Sequence, residues 1–169
     1  MSAERALASP PGISPSDYRA VLSRFASGVT IVISNEGAIP SGIVATSFAA
    51  VSLEPPLVLV CVGRSSSSHD AIAKARTLGV SILSDQQELL ARRFAGPDRF
   101  AGMPLRHAVQ TGALVVDGAA ATLVLTRRTT FVAGDHTVLV GEVVDAEVSD
   151  RAPLVHWARA YRTLSETTR

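Results

Sequence analysis

Two short segments of the chain combine glycine with residues that donate hydrogen bonds. Residues 42–48 read Gly-Ile-Val-Ala-Thr-Ser-Phe, so the hydroxyls of Thr46 and Ser47 interrupt an apolar stretch. Residues 63–68 read Gly-Arg-Ser-Ser-Ser-Ser and precede a predicted helix. Backbone amides, hydroxyls and Arg64 in such segments can bind an anion or the edge of a heterocycle. Each segment also has a purely structural interpretation, as a strand end with surface hydroxyls and as a helix-capping loop.

A third candidate is the sequence Gly134-Asp135-His136, in a predicted tight turn that enters a strand. The imidazole of His136 can orient a bound heterocycle at that position. The structural alternative is that Gly134 and Asp135 form the turn and His136 is a satisfied polar residue. Cys61 lies inside an apolar run, and we expect it to be a buried small hydrophobic residue and not a nucleophile.

Several common catalytic and nucleotide-binding motifs do not occur in the sequence. It contains no GxGxxG, GxxxxGK[ST], HExxH or GxSxG pattern. Its 4 histidines are far apart and it has 1 cysteine, so the sequence predicts no metal site and no disulfide framework. The class of function that remains is binding of a small molecule without a Rossmann or P-loop phosphate site.

Length and composition restrict the class of protein. The chain has 169 residues, of which 47% are hydrophobic and 18% charged, values that predict a folded chain. The net charge of +1 argues against a globally basic nucleic-acid binder. The longest dense apolar run, residues 57–62, is far shorter than the ~18 residues of a membrane span. With no apolar signal region near the N-terminus, we expect a soluble cytoplasmic protein without nucleic-acid or membrane partners.

Hydrophobic patterning predicts mostly strands. A helix should begin with Ser14 as its N-cap and Pro15 at its first position, with Tyr18, Val21, Leu22 and Phe25 on its apolar face. Shorter helices are expected over residues 69–75 and 86–94. Strands are expected over residues 29–33, 41–48, 57–62, 78–83, 114–116, 120–131 and 137–148.

The arrangement of these elements favours one fold class. Turn signals at Asn35-Glu36-Gly37, Asp117-Gly118 and Ala133-Gly134-Asp135 predict hairpins, and residues 57–62 are expected to be buried on both faces. Because helices do not alternate with strands, a closed antiparallel barrel with peripheral helices fits better than a doubly wound sheet. We expect residues 1–13 to be a flexible lead-in and residues 14–169 to form one domain.

Seven sequence blocks, in this order and at these spacings, resemble the flavin reductase family. They are residues 25–30 (Phe-Ala-Ser-Gly-Val-Thr), 42–48, 51–61, 80–83, 93–95 and 100–102, and residues 134–136 together with 141–143. The resemblance covers residues 18–164. Each block alone is a weak signal, and their order makes the signal specific.

The resemblance implies a mainly β fold, the Greek-key split β-barrel, with short peripheral helices. It implies an NAD(P)H:flavin oxidoreductase that binds flavin at a homodimer interface, with FAD or FMN as the flavin and NADH as the hydride donor, NADPH being the alternative. Reduced flavin would reach a partner flavin-dependent monooxygenase of a biosynthetic or catabolic pathway by diffusion. Two alternatives remain open: a split-barrel flavoprotein with permanently bound flavin, and a non-enzymatic flavin-binding module.

The resemblance also implies roles for particular residues. His136 is the catalytic positioning residue, and a C-terminal aromatic stretch with His156, Trp157 and Tyr161 closes the site. Many relatives have two serines where this chain has Thr46-Ser47, and threonine keeps the hydroxyl. The residues implied for NAD(P)H binding are Gly134, Asp135, His136 and Tyr161. Those implied for flavin binding are Val44, Ala45, Thr46, Ser47, Cys61, Val62, Gly63, Ser66, Ser67, Arg93 and Phe94.

Overall fold

A computed structural model describes residues 12–165 of the chain, so the predicted lead-in lies almost wholly outside the described residues. The helices are α1 (Pro15–Leu22), α2 (His69–Lys74) and α3 (Glu88–Phe94), with a 3-10 turn at Asp85–Gln87 before α3. The strands of the first half are β1 (Ser27–Gly28), β2 (Thr30–Ser34), β3 (Ser41–Ala45), β4 (Phe48–Ser52), β5 (Leu57–Gly63) and β6 (Thr77–Ile82). Those of the second half are β7 (Leu105–His107), β8 (Leu114–Val116), β9 (Ala121–Ala133), β10 (His136–Val148), β11 (Val155–Trp157) and β12 (Ala160–Arg162).

Seven strands form one antiparallel sheet in the order β3-β2-β6-β9-β10-β5-β4. Its two edge strands, β3 and β4, are consecutive in the chain and are joined only by Thr46 and Ser47. This short link requires the two edges to meet, so the sheet curls into a barrel that is split at the link. The predicted split β-barrel with short helices is confirmed.

The two larger hydrophobic clusters of the described residues lie on opposite faces of β2. Val32 points into the barrel with Val60, Leu78 and Leu125. Its neighbours Ile31 and Ile33 pack on the other face, in a second cluster that contains Phe94 of α3 and Leu154. Because α3 covers its outer face, β2 is buried along its whole length.

The strand expected to be buried on both faces, β5, is not. Its residues alternate between buried and half-buried, so only Val58, Val60 and Val62 point into the barrel. Cys61 is on the half-buried face, so the expectation that it is a buried residue was wrong. A continuous apolar run does not distinguish a strand with two covered faces from one with an exposed apolar face.

Two further expectations were wrong. Residues 41–48 are not one strand, because the chain leaves β3 after Ala45 and begins β4 at Phe48. The turn at Asp117-Gly118 does not join paired strands, since β8 pairs with β7 and not with β9. The hairpins at residues 35–37 and 133–135 are confirmed by the pairing of β2 with β3 and of β9 with β10.

Helix α1 begins as predicted but does not face the core. The Ser14 hydroxyl accepts a hydrogen bond from the Asp17 amide at 3.1 Å, and Pro15 occupies the first turn. The residues of its predicted apolar face are nevertheless exposed, with Tyr18 at 55%, Val21 at 61% and Phe25 at 74%. None of the helices in residues 12–165 is long and apolar enough to cross a membrane.

Candidate functional site

The link between the two edge strands lies against the end of β5. The Ser47 hydroxyl donates a hydrogen bond to the carbonyl oxygen of Cys61 at 2.9 Å. The Cys61 amide donates in turn to the carbonyl oxygen of Ser47 at 3.2 Å. Thr46 is exposed, while Ala45 is 6% exposed. The predicted segments around Thr46 and Cys61 therefore meet, and Ala45 beside them is buried.

The serine-rich loop after β5 is held by its own hydroxyls and by the turn before β10. The Ser66 hydroxyl accepts from the Ser68 amide at 3.2 Å, and the Arg64 amide donates to the carbonyl oxygen of Asp135 at 2.9 Å. Ser67 is exposed. Val62 is 0% exposed and belongs to the core, so it is not open to a ligand.

Arg99 links this loop to β3. Its guanidinium donates to the Gly42 carbonyl oxygen at 2.7 Å and to the Ser68 hydroxyl at 3.0 Å. Arg99 also lines a cleft of about 220 Å³ together with Ile43, Val44, Ser66, Phe94 and Ala95. We did not predict a role for Arg99, because it lies in an irregular segment where spacing carries no information about direction.

Arg93 and Phe94 point to different places. Phe94 is fully buried, and its ring meets that of Phe100 edge to face at 5.1 Å between centroids. Successive helical residues point about 100° apart, so Arg93 is directed away from the core, and it lines a separate cleft with Gly102 and Met103. The structure thus brings Phe94, but not the Arg93 side chain, to the cleft with Ser66.

The turn Gly134-Asp135-His136 lies beside the serine-rich loop. Gly134 has a φ of 60°, in the left-handed region that favours glycine. His136 is opposite Gly63 in the register of β10 with β5. The His136 imidazole Nδ1 lies 2.8 Å from an Asp135 carboxylate oxygen, and this hydrogen bond lowers the pKa of Asp135. The residues predicted for nicotinamide therefore contact the loop predicted for flavin.

Tyr161, the fourth residue predicted to bind NAD(P)H, does not lie with Gly134, Asp135 and His136. It lies on the hairpin of β11 and β12, where its ring is 5.8 Å from that of His156. The guanidinium of Arg92 is 4.9 Å from the centre of the same ring. Tyr161 thus packs toward α3 and the second core cluster.

A further cleft, with a mostly apolar wall, lies between α1 and the hairpin of β11 and β12. Its volume is about 560 Å³. Thr46 and Ser47 form part of its wall, so it adjoins the link between the edge strands. The remaining lining residues are Tyr18, Arg19, Leu22, Ser23, Phe25, Ser27, His156 and Arg159. Of these, our sequence interpretation had named only His156 with the site, because helical spacing had assigned Tyr18, Leu22 and Phe25 to the core.

Another cleft, of about 280 Å³, is lined by Arg106, Asp117 and Glu147 among others. Arg106 pairs there with Glu147 and lies 3.8 Å from Asp117, so its charge is already compensated. In the described residues 12–165, no group of three or more histidine, cysteine or acidic side chains is arranged to hold a metal ion.

Comparison with known proteins identifies the family. A family model described as a flavin reductase like domain matches residues 22–165. The chain belongs to the flavin reductase family.

Individual members of the flavin reductase family cover most of the chain. An NADH:FMN oxidoreductase of Rhodococcus qingshengii is 40% identical over 159 residues, which cover 89% of this chain and 83% of the relative. The reductase subunit of a flavin-dependent monooxygenase from Rhodococcus jostii is 34% identical, covering 88% and 77% respectively. The structure of an NADH:FAD oxidoreductase of Streptomyces globisporus, in complex with NAD and FAD fragments, matches with a TM-score of 0.84 at 34% identity. That match covers 92% of this chain and 98% of the other.

Proposed function

We propose that this protein is an NADH-dependent flavin reductase that supplies reduced FAD or FMN to a partner flavin-dependent monooxygenase. The observation that carries the proposal is the contact between the turn at Asp135 and the loop at Arg64, with His136 opposite Gly63. In this proposal the nicotinamide and the flavin occupy adjoining sites on one surface, as hydride transfer between them requires. The relatives named for NADH, FMN and FAD oxidoreduction support the same reaction.

The residues around the edge-strand link fit the parts of a flavin. The cleft between α1 and the β11–β12 hairpin offers an apolar wall with Tyr18 and Phe25 next to the hydroxyls of Thr46 and Ser47, which suits a flat ring with a polar edge. The cleft with Arg99 and Ser66 offers a guanidinium and a hydroxyl for a phosphate. Val44 lines the cleft with Arg99, and Thr46 lines the cleft between α1 and the β11–β12 hairpin. The end of β3 can therefore contact both the phosphate and the ring of a flavin.

The protein's contribution to the reaction is to bind and orient. When bound, flavin supplies the hydride acceptor at N5 for the hydride at nicotinamide C4. His136, held by Asp135, positions the nicotinamide and does not need to transfer a proton. The turn at Gly134 and the loop at Gly63 fix the two ligands relative to each other. Holding two reactants in a reactive arrangement can contribute several kcal/mol to lowering the barrier.

We further propose that the protein is a homodimer. Most soluble oligomers of one chain are two-fold dimers. Large hydrophobic side chains remain uncovered on the monomer. They are Phe25 beside the edge-strand link, at 74% exposure, Leu53 just after β4, at 83%, and Phe131 on β9, at 54%. A second copy would cover such a surface. Light scattering should show a dimer, and a stable monomer that retains activity would contradict this part of the proposal.

Steady-state oxidation of NADH with excess free flavin tests the main proposal. Purified protein should oxidise many equivalents of NADH per chain, at a rate that saturates with both NADH and added flavin. A permanent flavoprotein would retain its flavin through gel filtration and would not depend on added flavin. A protein that binds flavin without any loss of NADH absorbance would contradict the proposed activity.

A further inference from the structure

The turn between β11 and β12 has an unusual backbone for its sequence. Trp157 pairs with Ala160, so Ala158 and Arg159 alone form the turn. Both have positive φ, 50° for Ala158 and 61° for Arg159. Two-residue turns of this type strongly favour Asn-Gly, because side chains with a Cβ are strained there.

Contacts on both sides hold the strained turn in place. The Ala158 amide donates to the carbonyl oxygen of Ser23, just after α1, at 2.9 Å. His156, two residues before Ala158, is paired with Ser27 of β1. The turn is therefore attached to both elements that lead into the cleft between α1 and the hairpin. The Arg159 side chain lines that cleft, on which Thr46 and Ser47 also lie.

The cleft carries positive charge that no acidic side chain of the described chain compensates. Within residues 12–165, neither Arg19 nor Arg159 forms an ion pair with a carboxylate. Both arginines are exposed. They differ in the backbone, because Arg159 starts from a turn that is held on both sides. Glycine would form the same turn without strain, so the turn shape alone does not require arginine at this position.

We infer that Arg159 recognises the negative charge of reduced flavin. This inference rests on the proposed function and deepens it. Hydride transfer breaks the C4–H bond of the reduced nicotinamide and forms an N5–H bond on the flavin. The nicotinamide ring becomes a cation, and the transferred electron pair leaves one additional negative charge on the flavin ring system. A guanidinium that this turn carries into the ring cleft interacts more strongly with the charged product than with the neutral oxidised ring.

The experiment compares the affinities for oxidised and reduced flavin. Dissociation constants for FMN and FAD are measured with the apo-protein, by fluorescence quenching for the oxidised forms and by anaerobic calorimetry for the dithionite-reduced forms. Arg159→Gln should weaken binding of reduced flavin by about tenfold, the size of one lost charged hydrogen bond, and binding of oxidised flavin by less than about twofold. Arg159→Lys should retain most of the preference, because it retains the charge.

Two glycine variants separate the charge from the strain. Arg159→Gly and Ala158→Gly should both raise the melting temperature, since each relieves a positive φ. Only Arg159→Gly should lose the preference for reduced flavin. Arg19→Gln serves as the matched control for a second guanidinium in the same cleft and should leave the preference unchanged.

The outcomes also distinguish this inference from the proposed function. If Arg159→Gln keeps the ratio of the two dissociation constants, or if Arg19→Gln removes it, the inference is wrong while NADH oxidation by the wild-type protein still supports a reductase. If the wild-type protein binds neither form of flavin, the proposed function itself fails.

Discussion

Ser47 and Cys61 are joined by two hydrogen bonds, one from the Ser47 hydroxyl and one from the Cys61 amide. This pair fastens the end of β5 to the link that closes the barrel. The hydroxyl proton of Ser47 is therefore committed to the protein. Thr46, next to it and exposed, keeps its hydroxyl for a ligand.

The adjacent variants Thr46→Ala and Ser47→Ala should consequently differ. Ser47→Ala should lower the free energy of unfolding by about 0.5–1.5 kcal/mol, the net value of one neutral hydrogen bond. Thr46→Ala should leave stability unchanged and weaken flavin binding. Urea unfolding and flavin fluorescence quenching measure the two effects. Equal stability of both variants would show that the Ser47–Cys61 bond contributes nothing in solution.

His136→Ala should impair the use of NADH far more than the binding of flavin. Loss of the imidazole would loosen the nicotinamide arrangement, and small misplacements can cost up to ~10²-fold in rate. Some activity should remain, because hydride transfer requires no proton from this residue. Rapid-reaction rates of flavin reduction across NADH concentrations, compared with flavin dissociation constants, provide the measurement. An equal loss of both would indicate a structural role for His136.

Two aspartates should make the free energy of unfolding decrease at acidic pH. Hydrogen bonding by Lys74, and by His69 beside it, lowers the pKa of Asp70, and the His136 imidazole lowers the pKa of Asp135. A carboxyl whose pKa is lower in the folded protein stabilises it above the unfolded pKa of ~3.9 and loses this contribution as pH falls through the folded value. The free energy of unfolding should fall as pH drops below about 4. Asp70→Asn and Asp135→Asn should each flatten that slope, whereas an unchanged slope in both would assign the acid sensitivity to other groups.

Arg99→Ala should weaken binding of flavins that carry a phosphate. Arg99 lines the cleft with Ser66 and also donates to Gly42 and Ser68, so the variant should also lose some stability. FMN affinity should fall by about tenfold, in line with one charged hydrogen bond. Riboflavin, which lacks the phosphate, serves as the matched ligand, and its affinity should change little. A parallel loss of both ligands would mean that Arg99 acts only by holding the loop.

The sequence predicted the barrel well because its long strands are apolar and β-branched. Strands such as β9 and β10 extend over 13 residues each and are joined at a clear turn signal, residues 133–135. The break between β3 and β4 was not predicted, because an apolar run does not show where a strand bends from one sheet edge to the other. The strands β1, β7, β11 and β12 have only two or three residues, too few for any periodicity.

The sequence predicted those parts of the candidate site that short continuous segments form. It did not predict the parts to which side chains from distant segments contribute. The Thr46, Gly63 and His136 segments adjoin because neighbouring strands place them together. Arg99 and Arg159 come from an irregular loop and a short hairpin, and nothing in their spacing indicated a cleft. Arg93 had the residue type expected at a phosphate, but the orientation of α3 directs it elsewhere.

Gly42→Ala tests whether the glycine that begins the predicted binding segment serves packing. A Cβ at Gly42 would lie 2.7 Å from the Phe94 ring and 2.9 Å from the Val32 carbonyl oxygen. Glycine is therefore required for the approach of α3 to β3, and not only for the approach of a ligand. Overpacking here should lower the free energy of unfolding by about 1–3 kcal/mol.

Gly28→Ala is the matched control, because a Cβ there meets nothing within 4 Å. It should leave stability within about 0.5 kcal/mol of the wild type. Combining Gly42→Ala with Phe94→Leu should cost less than the sum of the two single changes, since the smaller side chain makes room for the new methyl group. Chemical unfolding of the four proteins gives the coupling energy. Strict additivity would show that the Phe94 ring does not limit the residue at position 42.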